Sequence, residues 1–172
     1  MVNIRLISST QESAIEGLCH LLIDVVNGGA SVGFLAPLST KTALNYWQDL
    51  FSKQLNNGLL LWIAELEGKI IGSVQLQLCN KENARHRAEI QKLFVLSNHR
   101  GKGVSSKLMQ AAESFAYSNG RTLLVLDTES GSVAESIYKH LGWQKVGEIP
   151  DYAASPDGKL HATSYFFKCK PL

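Results

Sequence analysis

The stretch Gln91-Lys-Leu-Phe-Val-Leu-Ser-Asn-His-Arg-Gly-Lys-Gly-Val104 constrains this chain most. Its first half has the apolar content of a β-strand. Arg100, Gly101, Lys102 and Gly103 then form a tight basic turn, and Ser105 to Tyr117 continues with helical periodicity. A strand, glycine turn and helix in this order bring backbone N–H groups, a helix N-terminus and positive side chains to one anion. Two glycines also let the backbone approach a ligand closely. The pattern therefore points to a phosphorylated ligand, although a plain strand-to-helix connection would use the same residues. No GxxxxGK[ST] occurs, and no GxGxxG opens a first βαβ unit.

The rest of the chain supplies a sheet around this junction. Val2 to Ile7 is a strand candidate, and Ser9-Thr-Gln-Glu12 is a capping box. The helix after it places Ile15, Leu18, Cys19, Leu22, Ile23 and Val26 on one face and stops at Asn27-Gly-Gly29. A loop over 30–38 leads to a second helix from Ser39 or Thr40, with an apolar stripe of Leu44, Trp47, Phe51 and Leu55. Leu59 to Glu65 and Ile70 to Leu78 form a hairpin about Glu67-Gly-Lys69, and Ala88 to Leu96 is a fourth strand. The third helix buries Val104, Leu108, Ala111, Ala112 and Phe115. Thr122 to Leu126 is an apolar strand ending at Asp127, and Ser132-x-x-Glu135 caps a short helix with Ile137, Tyr138 and Leu141. The last strands are Trp143 to Val146 and Thr163 to Lys168, with a turn-rich loop over 150–161 between them. The order β-α-α-β-β-β-α-β-α-β-β predicts an α/β fold, one mixed sheet flanked by helices, in a single domain over 1–172.

Composition narrows the partners. Apolar residues are 45% and charged residues 19%, as in ordinary globular chains, and the net charge of +2 is too small to argue for nucleic acid. Three single cysteines (Cys19, Cys79, Cys169) give neither a disulfide framework nor a metal-spaced pair, and the five histidines lack ligand spacing, so no metal site is expected. No segment reaches the roughly 18 apolar residues of a membrane span. The N-terminus lacks a signal-peptide core, so a cytoplasmic protein is expected, without a membrane partner.

Arg100-Gly-Lys-Gly-Val-Ser105 resembles the signature of the GNAT superfamily of N-acetyltransferases: Arg or Gln, two residues, Gly, one residue, then Gly or Ala. The last position departs, being Ser105, which keeps a backbone N–H. The resemblance extends over most of the chain. Gly28-Gly-Ala-Ser-Val-Gly-Phe34, Gln91-Lys-Leu93, Leu126-Asp-Thr-Glu129, Gly131-Ser-Val-Ala-Glu135, Val146-Gly-Glu148 and Pro156-Asp-Gly158 are most similar to acetyltransferases that act on a β-lactam phytotoxin. It implies a GNAT-like, mostly antiparallel sheet, acetyl-CoA as acetyl donor, a small-molecule amine as acceptor, a toxin or antibiotic among the candidates, and a homodimer. The pantetheine arm maps onto main-chain groups near Leu93 and Val95, and the pyrophosphate onto Arg100, Gly101, Lys102, Gly103, Val104 and Ser105. The asparagine common before the fourth helix is Gly131 here, leaving its contact absent or supplied by Ser130 or Ser132.

Acetyl transfer from a thioester needs a neutral amine, stabilisation at the carbonyl and a proton for the departing thiolate. Tyr138, eleven residues after Asp127, matches the superfamily tyrosine near the sulfur and is the expected donor of that proton. Asp127 and Glu89 are rival proton acceptors. Each also has a purely structural reading, as a turn acid and as a strand-edge ion-pair partner. Ser31 and Phe34 offer a hydroxyl and an apolar wall for the acceptor, and Tyr152 and His161 lie in the late loop that would close over it. Trp47 and Trp143 read as packing. A protein or peptide amine as acceptor, and an acyl-CoA sensor without catalysis, remain open alternatives.

Overall fold

A computed structural model describes residues 1–7 and 12–171. The capping box proposed at Ser9 lies outside the described residues. The elements run β1 (Asn3–Ile7), α1 (Glu12–Asn27), α2 (Thr40–Asp49), β2 (Leu59–Leu66), β3 (Lys69–Leu78), β4 (Arg87–Val95), α3 (Val104–Ser118), β5 (Leu123–Glu129), α4 (Val133–His140), β6 (Gln144–Ala154) and β7 (Leu160–Cys169). One seven-stranded sheet has the order β1-β2-β3-β4-β5-β7-β6. Only β4 and β5 are parallel, because α3 returns the chain to the same end. Among the described residues no helix is long and apolar enough to cross a membrane.

Helices cover both faces. Gln75 on β3 hydrogen bonds to Tyr46 on α2 (2.9 Å), so its face lies under α1 and α2. Trp62 on β2 meets Phe115 on α3 at 5.3 Å, which fixes the other face. The α1 face is broader than its sequence stripe: Ala14, Leu21 and Val25 are buried with Leu18, Leu22 and Val26, whereas Ile15 and Ile23 are half-buried. Ser39 caps α2 by accepting from the Thr42 N–H (3.1 Å), and α2 runs on through one wide turn over 50–54. The Glu67-Gly68 turn of the β2–β3 hairpin has positive φ at both residues, the two-residue geometry whose twist suits a hairpin.

Two features of β4 shape the molecule. It pairs with β5 only at Arg87, Ala88 and Glu89, opposite Leu123, Leu124 and Val125, and the strands then part. Where they part, β4 bulges against β3: Lys92 and Leu93 oppose Val74 alone. A bulge bends its strand and raises its twist. Here it turns β4 away from β5. Lys92 takes a left-handed φ of 51°, which costs a non-glycine residue roughly 1–2 kcal/mol. The bulge also corrects a sequence expectation. Strict alternation places Glu89, Gln91 and Val95 on one face. In the fold Glu89 and Gln91 stay with Gln77 and Gln75, while Val95 sits opposite Gly72 on the α3 face.

Two boundaries also move. β5 does not end at Asp127 but continues to Glu129, pairing with β7, so apolar composition stops before the ladder does. β6 reaches Ala154 rather than ending near Val146, so Tyr152 is on a strand rather than in a loop. Proline is tolerated because β6 is an edge strand, and Pro150, Asp151 and Tyr152 form a bulge opposite Ala162. The late loop shrinks to 155–159, and His161 falls on β7.

Gly72 is the tightest point between β3, β4 and α3. A Cβ there would lie 2.8 Å from the Phe94 carbonyl oxygen and 3.1 Å from Leu108. Gly72→Ala should therefore cost about 1–3 kcal/mol by overpacking, seen as a lower urea midpoint at unchanged slope.

Candidate active site

The basic turn forms as its sequence implies. Gly101 and Gly103 have φ of 73° and 75°, a conformation that side-chain-bearing residues resist. Gly103 is the residue before α3 and offers no side-chain cap, and the first turn of α3 holds no acid. The leading N–H groups of Val104 and Ser105 are thus left to face an anion, at the positive end of a 15-residue helix. Asp24 on α1 braces the approach by accepting from the Ser97 N–H (2.8 Å) and hydroxyl (2.9 Å). The cationic side chains fold back onto the turn. Arg100 donates to the Val95 carbonyl (3.2 Å) and Lys102 to the Asn98 carbonyl (2.9 Å).

The parting of β4 from β5 leads from this turn towards Tyr138, Asp127 and Glu89. Tyr138, on α4, is 6% exposed and packs against Trp143 and Phe166 on the helix-covered side of β7. Burial, then the nearby Asp127 charge, pushes its hydroxyl well above the ordinary tyrosine range. Asp127 points the other way. It pairs with Tyr165 across β5 and β7, and it shares a face with Glu89 through the Glu89–Val125 register. Although Asp127 meets solvent, lost hydration raises its carboxyl above the usual range, with Lys92 opposing. The tyrosine and the two carboxylates therefore approach the divergence from opposite faces.

Two residues at this site had no sequence signal strong enough to single them out. Tyr165 is pushed up to about 12, chiefly by its hydrogen bond with Tyr152, then by burial and the charges of Tyr152, Asp127 and Glu89. The Tyr152 ring meets it edge-on at 5.9 Å. Lys92 is the bulged residue. Its ammonium donates to the Val32 carbonyl and lies 6.0 Å from the centre of the Phe34 ring. Burial lowers its pKa, and Asp127 partly restores it. A lysine within an apolar strand gives no hint in sequence that a bulge will turn it into a cleft.

Loop 30–38 walls this side. Phe34 stacks edge-on with Tyr46 at 5.4 Å, and Ala36 donates to the Pro156 carbonyl (3.0 Å), tying this loop to loop 155–159. Ser31 is half-buried in the same loop. His161 is less central. It is exposed on β7, four residues before Tyr165, and its Nδ1 is 4.0 Å from Glu129.

The entry to α4 compensates for glycine at 131. Ser132 accepts from the Glu135 N–H (3.3 Å), and Glu135 reaches back to the Gly131 N–H (2.6 Å), one residue earlier than a simple capping box. Lys139, the Gly131 N–H and Lys145 hold the Glu135 carboxyl down at about 2. Ser130 hydrogen bonds with Ser164 (2.6 Å), so both serines flanking Gly131 have partners within the fold.

The family model for the acetyltransferase (GNAT) family matches residues 30–143, well over half of the chain. The chain belongs to this family. It is 33% identical over 96 residues to N-acetylaspartate synthetase of Danio rerio, covering 55% of this chain and 33% of that protein. It is 30% identical over 132 residues to N-acetyltransferase 8 of Rattus norvegicus, covering 67% and 59%. The chain thus spans only a third to three fifths of these relatives. Solved GNAT structures share the fold at low identity. A ribosomal-protein-alanine N-acetyltransferase from Brucella melitensis has a TM-score of 0.78 at 19% identity, over 98% of this chain and 99% of that one. A Salmonella typhimurium structure with its cofactor acetyl-CoA has a TM-score of 0.77 at 17% identity, over 98% and 93%.

The Lys92–Asp127 coupling has a definite sign. Lys92→Met removes the cation that opposes desolvation, so the Asp127 carboxyl should titrate at higher pH, as read by NMR of that carboxyl carbon. An unchanged Asp127 titration would contradict the coupling.

Proposed function

We propose that this acetyltransferase moves the acetyl group of acetyl-CoA to the amine of a small molecule by direct transfer within the β4–β5 divergence. The observation that carries the reading is the convergence there of Tyr138 from one face and Asp127 and Glu89 from the other, below an uncapped helix N-terminus. The donor's pyrophosphate is assigned to Gly101 through Ser105, and its pantetheine arm to the β4 edge near Leu93 that β5 leaves unpaired.

The chemistry follows from the charges. Asp127, with Glu89 as the rival, accepts the amine proton. The amine nitrogen bonds to the thioester carbonyl carbon and the carbon–sulfur bond breaks. Net transfer moves one proton from nitrogen to sulfur. Burial, then the Asp127 charge, raises the Tyr138 hydroxyl above the ordinary tyrosine range, so it enters the reaction protonated. Its part is to hydrogen bond to the leaving sulfur and pass it a proton, which the proton taken from the amine replaces. No described cysteine lies at the divergence: Cys19 is buried on α1, and Cys79 and Cys169 lie beside Arg87 and Leu123, at the paired end of β4 and β5.

The small-molecule class rests on the joined loops 30–38 and 155–159, which narrow the acceptor side. The longer sequence resemblance adds the tabtoxin resistance protein, and with it tabtoxinine-β-lactam as a candidate acceptor. The names of the relatives add aspartate. The resemblance also implies a homodimer, for which the exposed β6 edge is open.

Tyr138→Phe should lower kcat about 100-fold with acetyl-CoA affinity nearly unchanged, measured by thiol release and calorimetry. Asp127→Asn should lower kcat/KM by a similar factor. A larger loss in Glu89→Gln would transfer the base role to Glu89.

A further inference from the structure

A lysine in the acceptor cleft is unexpected for an enzyme of simple amines. An ammonium there repels a second ammonium, and burying it without a partner carries a cost. Lys92 nevertheless projects into this face from a left-handed bulge, a backbone conformation that lysine does not favour. Among the described residues, the Val32 carbonyl is the hydrogen-bond partner of its ammonium. An ammonium has three donors, so two remain for a ligand. The surroundings keep that space open. Gly33 has no side chain, and a Cβ there would come within 3.4 Å of Lys92 Nζ. Phe34 and Tyr46 supply an apolar wall beside the cation. Asp127 is near enough to alter the Lys92 charge, yet the two form no direct ion pair among the described residues.

Separated opposite charges on one cleft face complement a zwitterion. We propose that Lys92 receives the carboxylate of the acceptor, whose amine lies towards Asp127, so that the acceptor class is a free amino acid with its side chain against Phe34. This rests on the acetyl-transfer reading above and adds the carboxylate to it. Lys92 is then a specificity residue, and the bond to Val32 aims its remaining donors.

The test compares each amino acid with the amine left by removing its carboxylate: L-phenylalanine with 2-phenylethylamine, L-lysine with cadaverine, L-methionine with 3-methylthiopropylamine. Thiol release and product mass give kcat/KM for each. In the wild-type protein at least one amino acid should exceed its partner 10-fold or more. Lys92→Met should reduce that ratio towards one through KM, and Lys92→Arg should restore part of it. Robust turnover with wild-type ratios at or below one for every pair would overturn the carboxylate assignment while leaving acetyl transfer intact. A Lys92→Met protein that loses activity on both members equally, keeping the ratio, would also overturn it and reduce Lys92 to a loop anchor. No thiol release with any amine would instead sink the acetyl-transfer reading, and this assignment with it.

Discussion

The bulge at Lys92 is the feature on which the rest of the structure depends. One extra residue in β4, opposite Val74, turns that strand away from β5 after three paired residues. A continuous ladder would have closed the sheet and left no gap between Tyr138 and Asp127. The strained backbone at Lys92 is stabilised by the surrounding core, with Phe94 buried two residues after it and Val104 and Leu108 packed across β3 and β4.

The parted strands explain how one site presents two chemical environments. On the α3–α4 side, aromatic packing around Tyr138 excludes water and holds the phenol protonated. On the other side lie Asp127, Glu89, Tyr165 and Lys92: Asp127 and Lys92 perturb one another, and the charges of Asp127 and Glu89 raise Tyr165. In the proposed reaction the first environment would serve the leaving sulfur and the second the amine that loses a proton. The sheet separates them, and the gap lets them meet.

Much of this was legible in the residues. The strand, glycine turn and helix at 91–118 were legible as such, because glycine in the left-handed region and an uncapped helix have recognisable sequences. The element order gave the sheet, and the spacing from Asp127 to Tyr138 anticipated the residues that flank the gap. What stayed hidden depends on register. Strict alternation misplaced Val95 because a bulge leaves no fixed composition. Tyr165 looked like an ordinary strand residue until its pairing with Asp127 placed it in the cleft. Pro150 and Asp151 looked like loop, since an edge strand tolerates residues that a central strand would reject.

The central claim is that the β4–β5 divergence is the acetyl-CoA site. Backbone hydrogen exchange with and without acetyl-CoA tests it most directly. The account predicts slowed exchange at the amides of 91–95 and 103–105, with α1 and β1 unaffected. Binding accompanied by protection elsewhere, with those two segments unchanged, would contradict it.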